Sequence, residues 1–181
     1  MLKKRILTAL ILLPFALLLV FYAPGNVFSV AVALVLLLAA FEWTQLVPIS
    51  KRLVKQAILL GVSVCLAVSS WVQISEFHIL IVPVITWLLF CLAIIAFPRG
   101  VWLWGNTFIV LLTLFILLVA CFKALVSLRE LEQGQAYLFY LLCLIWGADT
   151  GAYFAGKFFG KRKLIAKVSP GKTIEGLIGG L

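Results

Sequence analysis

One carboxylate interrupts a long apolar run near the end of the chain. Asp149 is the only charged residue between Ala136 and Gly156. An acidic side chain inside a membrane-spanning helix costs about 2.5–3.5 kcal/mol and usually faces the bundle interior or a wet cavity. A carboxylate there suits a hard cation such as Mg²⁺, which takes oxygen ligands and keeps water molecules that phosphate oxygens can replace. Asp149 is therefore a candidate metal ligand or substrate-site residue.

A strongly basic segment follows Asp149. Its six cations are Lys157, Lys161, Arg162, Lys163, Lys167 and Lys172. Attraction to anionic lipid head groups, about 1 kcal/mol per basic residue near the surface, explains part of this charge. It does not require the motif Ser-Pro-Gly-Lys-Thr at Ser169–Thr173, which Glu175 follows shortly.

The Ser169–Thr173 motif predicts a turn into a helix, with Ser169 as N-cap and Pro170 at the first helical position. Amide groups at a helix N-terminus bind anions, and Lys172 and the Thr173 hydroxyl would reinforce such a site. A P-loop is rejected because Ala166 replaces its first glycine and no strand is expected before the motif. We therefore predict a phosphate- or diphosphate-binding segment at the membrane surface.

Small residues surround the aspartate. Helical spacing places Asp149 on one face with Gly156 and Gly160, and the pairs Gly147–Gly151 and Gly156–Gly160 have the spacing of close helix packing. Packing accounts for the glycines and leaves the carboxylate without an explanation.

A second acid, Glu42, interrupts another apolar run. It could line one polar cavity with Asp149 as a substrate-binding residue. It could equally lie near the interface and pair with Lys51 or Arg52. The sequence leaves both interpretations open.

The elements that position these residues are membrane helices. Of the 181 residues, 65% are hydrophobic and 12% charged, whereas soluble domains average about 45–50% and about 25%. A span takes about 17–25 helical residues. The chain thus predicts an all-α polytopic membrane protein with about six spans and the start of a seventh. The predicted spans are Ile6–Ala23, Val27–Val47, Ala57–Ser75, Ile79–Phe97, Val101–Phe122 and Ala136–Gly156.

Two regions and an orientation follow from this pattern. Residues 1–135 are predicted to form a bundle of five spans, and residues 136–181 the span with Asp149, the basic loop and the start of a catalytic region. A cytoplasmic N-terminus places 13 of the 15 Lys and Arg residues on the cytoplasmic side, as the positive-inside rule requires. Lys123 and Arg129 are then the two exterior cations.

The segment from Trp146 to Lys161, with the motif Ser169–Thr173 and the residues from Glu175 to Gly180, resembles the middle of bacterial phosphatidate cytidylyltransferases. The dense match covers residues 144–181, and Glu42-Trp43 is similar to a further family feature. The resemblance implies an enzyme of phospholipid biosynthesis in the bacterial inner membrane. Such an enzyme transfers the cytidylyl group of CTP to phosphatidic acid with Mg²⁺. The resemblance implies no nucleic-acid partner and leaves a homodimer open.

The same resemblance implies roles for particular residues. Asp149 and Lys172 would be catalytic, with Asp149 also a metal ligand. The expected substrate-binding residues are Glu42, Lys157, Lys161, Ser169, Thr173 and Glu175.

The family also carries a second signature, with further metal-binding acids, that this chain lacks. We therefore expect the chain to be a fragment that is inactive by itself. Two alternatives stay open: a CTP-dependent lipid or polyprenol kinase, and a non-catalytic, truncated membrane protein.

Overall fold

The computed structural model describes residues 2–73, 75–99, 101 and 105–181. In the described ranges the secondary structure is mainly helical, with one pair of short strands between the last two helices. The elements are α1 (Leu2–Tyr22), α2 (Gly25–Trp43), α3 (Arg52–Trp71), α4 (Glu76–Ile95), α5 (Thr107–Glu130), α6 (Gly134–Phe159), β1 (Lys163–Ile165), β2 (Ser169–Thr173) and α7 (Ile174–Gly179).

Five of the helices described, α2 to α6, are long and apolar enough to cross a membrane, and α1 adds a shorter apolar stretch, Ile11–Tyr22. The prediction of a polytopic helical membrane protein is confirmed. The ends of two helices differ from the predicted spans: α5 (Thr107–Glu130) begins and ends later than Val101–Phe122, and α2 (Gly25–Trp43) begins and ends earlier than Val27–Val47. The predicted boundary at residue 135 stays a prediction.

The chain divides into two compact units. One contains residues 1–80 and 114–139, and the other residues 81–113 and 140–181. In the first unit, α2 and α3 pack against each other. Each buries a single stripe at four-residue spacing, for example Val32 and Leu36 on α2 and Val62 and Leu66 on α3. Such a narrow stripe leaves the rest of each helix apolar and exposed, as expected where the surroundings are hydrocarbon.

Polar side chains tie several helix ends of the first unit together. Lys123 Nζ on α5 donates to the carbonyl of Val72, just after α3, at 3.2 Å. Arg129 Nη2 donates to the carbonyl of Ala23, just after α1, at 3.2 Å. Gln135 Nε2 on α6 donates to the carbonyl of Phe21 at 3.0 Å. The ends of α1, α3 and α5 and the start of α6 therefore lie on one side, as the predicted alternation of spans requires. We call this group of contacts the helix-end clamp.

In the second unit, the structure differs from two predictions made for the motif Ser169–Thr173. Ser169–Thr173 is a strand, not a helix start, and it pairs antiparallel with β1. The helix begins later, at Ile174, with Thr173 as its N-cap. Ser169 is therefore not the cap, and the expectation that no strand accompanies this motif is wrong.

Candidate active site

The candidate site is built from the part of α6 after residue 139, the two strands and α7, which belong to the second unit. Asp149 lies in the second half of α6, ten residues or about 15 Å before the helix ends at Phe159. Its side chain is exposed and makes no hydrogen bond or ion pair within the described residues. The carboxylate is thus free to accept a ligand.

The basic hairpin, residues Lys161 to Thr173, follows α6. Its paired positions are Lys163 with Thr173 and Ile165 with Ser169. Between these pairs β1 has one residue, Leu164, whereas β2 has three, so Pro170, Gly171 and Lys172 form a bulge. Proline cannot donate to a strand ladder and is found at edges and bulges. The sequence Pro-Gly therefore fits the place where the strand leaves regular pairing, and Lys172 is presented from that bulge.

Thr173 joins the hairpin to α7. Its Oγ1 accepts a hydrogen bond from the Gly176 amide at 3.1 Å, which satisfies one of the free amides at the start of the helix. The same oxygen lies 3.3 Å from the position that a Cβ on Gly156 would take. Thr173 therefore both caps α7 and packs against α6.

Glycines allow α7 to run back along α6 at very close range. A Cβ on Gly151 would overlap the carbonyl oxygen of Gly179, and a Cβ on Gly176 would lie 3.1 Å from the Ala152 carbonyl oxygen and 3.2 Å from the Gly156 Cα. The predicted packing role is confirmed for Gly151 and Gly156. Gly147 differs, because a Cβ there would meet no atom within 4 Å.

This seam of glycines brings the end of α7 to the level of Asp149. A Cβ on Gly180 would lie 3.0 Å from the carbonyl oxygen of Ala148, the residue before Asp149. At 100° per residue, Asp149 stands on the flank of the seam, on the same side as Gly156. Gly156, where Thr173 packs, is about 10 Å further along the helix.

Glu175 fastens the base of the hairpin. Its Oε2 accepts from the backbone amides of Lys161 at 3.1 Å and Arg162 at 3.2 Å, and its Oε1 accepts from Arg162 at 3.3 Å. Beside it, the Ile174 amide donates to the carbonyl of Arg162 at 2.9 Å. The amides of Glu175 itself and of Lys161 lower the pKa of this carboxyl most, desolvation opposes them, and the amide and charge of Arg162 lower it further.

The cationic side chains of the hairpin are left unpaired. Lys161, Arg162, Lys163, Lys167 and Lys172 are all exposed, and in the part of the chain that the structure describes none of these side chains makes a hydrogen bond or salt bridge. Mutual repulsion among them is relieved when an anion binds. The hairpin is therefore a surface suited to phosphate groups.

Lys157 is held differently. Its Nζ lies 5.7 Å from the ring centre of Tyr153 and 5.8 Å from that of Phe158. Phe158 in turn stacks on Phe154 at 5.9 Å. Aromatic side chains and lysine at a helix end are typical of the membrane–water interface, which agrees with placing this end of α6 at the membrane surface.

Glu42 belongs to the first unit. It is the second-last residue of α2 and is exposed, so it lies at a helix end and not in mid-span. Among the described residues it forms no ion pair with Lys51 or Arg52. Its neighbour Gln45 accepts from Lys55 Nζ at 2.9 Å instead. A substrate-binding role for Glu42 stays a prediction.

The structure therefore brings together Ser169, Lys172, Thr173, Glu175 and Lys161 on the hairpin and its base, with Asp149 further along α6. The sequence reasoning missed the hairpin and the pairing of Gly179 with Gly151. The spacing of Gly176, Gly179 and Gly180 was the signal for that pairing, since it repeats on α7 the small-residue pattern of α6.

Comparison with known proteins decides the family. The family model described as "Cytidylyltransferase family" matches residues 3–181. The chain belongs to the cytidylyltransferase family. A phosphatidate cytidylyltransferase of Pseudomonas aeruginosa is 35% identical over 181 residues, covering 100% of this chain and 67% of that protein.

Other relatives agree. The phosphatidate cytidylyltransferase of Haemophilus influenzae is 35% identical, with 100% of this chain and 69% of the relative covered. That of Bacillus subtilis is 50% identical over 62 residues, covering 34% of this chain and 23% of the relative. No solved structure matches the chain significantly. The suspected resemblance to this family is thus confirmed, and the chain matches part of longer relatives, as expected.

Proposed function

We propose that this cytidylyltransferase-family chain takes part in the transfer of the cytidylyl group from CTP to phosphatidic acid. A phosphate oxygen of phosphatidic acid attacks the α-phosphorus of CTP, and the bond from that phosphorus to the β-phosphate bridging oxygen breaks. CDP-diacylglycerol and pyrophosphate are formed. The family membership and the names of the relatives support this reaction.

The observation that carries the proposal for the site is the unpaired basic hairpin that α7 and Glu175 hold against the end of α6. Negative charge moves onto the leaving pyrophosphate during the reaction, and fixed cations stabilise it where it develops. Lys172, in the bulge, is assigned this catalytic role. Lys157, Lys161, Ser169 and Thr173 are assigned contacts to phosphate groups of the substrates.

Asp149 is assigned the role of a metal ligand. Magnesium is commonly bound through one or two carboxylates together with substrate phosphates, so one exposed, unpaired carboxylate fits an ion that arrives with CTP. In the described residues no group of three or more His, Cys, Asp and Glu side chains could hold a metal. The ion would neutralise phosphoryl oxygens. Further ligands are expected from the second signature that this family carries.

The membrane supplies the geometry of the reaction. Phosphatidic acid reaches the site in the plane of the bilayer and CTP reaches it from the cytoplasm, so the hairpin must face the cytoplasm at the surface of the bacterial inner membrane. A homodimer stays an open expectation.

Labelled CTP tests the proposal. Membranes that contain a full-length version of the enzyme are supplied with phosphatidic acid and with CTP labelled at either the α- or the γ-phosphate. Transfer of the α-label to lipid is the expected result, with loss of transfer in Lys172→Ala. Transfer of the γ-label to lipid would instead identify a CTP-dependent kinase and contradict the proposal.

A further inference from the structure

The contacts within the basic hairpin are too few to fix its position. Its strands have three and five residues and an irregular register, and an isolated two-stranded hairpin is at best marginally stable in water. The cations that it carries also repel one another. Its position must therefore be set by contacts outside the two strands.

Those contacts converge on the base of the hairpin. Glu175 accepts from the amides of Lys161 and Arg162, Ile174 donates to the Arg162 carbonyl, and Thr173 packs against Gly156. At the tip, by contrast, the turn is closed by a bond within the hairpin, from the Val168 amide to the Ile165 carbonyl at 3.1 Å.

We propose that Glu175 is a positioning residue: its carboxylate binds the amides of Lys161 and Arg162, shortly after α6, and thereby fixes the bulge that presents Lys172 to the substrate phosphates. This inference rests on the proposed function and changes the role expected for Glu175, from a substrate contact to a clasp. Both carboxylate oxygens already accept hydrogen bonds from the chain, and a carboxylate in direct contact with CTP would repel its phosphates.

The charge of Glu175 agrees with this role. The amides around it, together with Arg162, hold the pKa of the carboxyl below its usual value. A carboxyl with a lowered pKa in the folded state contributes stability above its unfolded pKa and loses it as the pH falls through the folded value. The carboxylate is therefore charged at neutral pH, and the clasp weakens only in acid.

The test uses the 181-residue chain in lipid nanodiscs, with amide hydrogen exchange followed by NMR and CTP affinity measured by titration. Glu175→Ala should raise exchange at Lys161 and Arg162 and weaken CTP binding, each about 10-fold, because hydrogen bonds to a charged group are lost. Glu175→Gln keeps a carbonyl oxygen that can accept from both amides. It should restore protection and keep CTP affinity within about 3-fold of wild type.

Glu132→Ala is the matched control, since it removes an exposed acid from the loop before α6; exchange and affinity should stay at wild-type values. The proposal is overturned if Glu175→Ala leaves both amides protected. It is also overturned if Glu175→Gln keeps them protected yet binds CTP as poorly as Glu175→Ala, because the negative charge would then act on the substrate or its metal. Absence of CTP binding by the wild type would count against the proposed function, while amide exchange would still decide whether the clasp exists.

Discussion

Cations are used in opposite ways in the two units. In the helix-end clamp, the side chains of Lys123 and Arg129 donate hydrogen bonds to backbone carbonyls at the ends of other helices. In the basic hairpin, the backbone amides of Lys161 and Arg162 are bonded to Glu175 and their side chains are left unpaired. The first arrangement holds helices together. The second fixes the backbone and keeps the charge available.

The hydrogen bonds of a Lys or Arg side chain therefore indicate whether it stabilises the fold or is available to a ligand, which the residue type alone does not. A cation that already donates to a backbone carbonyl gains less from binding an anion, because that bond must first break. A cluster of unpaired cations on a fixed backbone is already arranged for phosphate and loses little freedom when it binds. The hairpin, and not the clamp, is therefore where substrate phosphates are expected.

The largest expected effect comes from Asp149, the acid on α6 in the second unit. In a full-length version of the enzyme, Asp149→Asn should lower cytidylyl transfer by about 100-fold or more, since charge stabilisation at the reacting phosphate is lost. Transfer of α-label from CTP to lipid measures it. Glu130→Gln, at the end of α5 in the first unit, is the control and should keep full activity. Equal activity of Asp149→Asn and wild type would remove Asp149 from the site.

A second change tests the packing that carries the hairpin. Gly151→Ala should destabilise the docking of α7 by about 1–3 kcal/mol, because its Cβ would overlap the Gly179 carbonyl. Denaturant unfolding in detergent, with amide exchange in α7, measures the loss.

The matched control for that change is Gly147→Ala on the same helix. A Cβ at Gly147 meets nothing within 4 Å, so this variant should be as stable as wild type or more stable by up to about 1 kcal/mol. Equal losses in the two variants would contradict the role of the seam, because a Cβ at Gly147 meets no neighbour that could cause a loss.

A smaller effect is expected at the clamp. Arg129→Ala removes the bond to Ala23 and a contact with the Phe28 ring at 5.9 Å. It also removes a buried Nε that has no partner among the described residues, which offsets part of the loss. Unfolding should therefore show a decrease of about 1 kcal/mol, with cytidylyl transfer per folded molecule unchanged. A loss of activity larger than the loss of folded protein would show that Arg129 also acts on the substrate, which contradicts its purely structural role.

The helical part of the fold could be predicted because its signal is long and uniform. Runs such as Val27–Val47 and Ala57–Ser75 are apolar and long enough to span a membrane. The helices α2 and α3 coincide with them apart from shifted ends. The apolar pattern does not locate the end of α2, since Leu46 and Val47 are apolar although the helix stops at Trp43. Hydropathy does not distinguish the last turn of a helix from an apolar loop.

The sequence does not predict the hairpin, and the reason is physical. Its strands are too short and too basic for a period of two to emerge, and Pro170 favours either a helix start or a bulge. The deciding contacts are tertiary: Glu175 on α7 binds amides that lie 14 and 13 residues earlier in the chain. The residues of the candidate site could be selected by charge and motif, whereas their arrangement depends on the seam between Gly151 and Gly179.

CTP binding to two lysine variants tests the central claim most directly. Lys172→Ala removes an unpaired cation from the hairpin bulge, and Lys123→Ala removes one that is bonded to the carbonyl of Val72. Lys172→Ala should weaken CTP binding by about 10-fold or more, the usual loss for a charge-assisted hydrogen bond, and Lys123→Ala should leave affinity unchanged. Wild-type affinity in Lys172→Ala, or an equal loss in both variants, would contradict the assignment of the hairpin as the phosphate-binding surface.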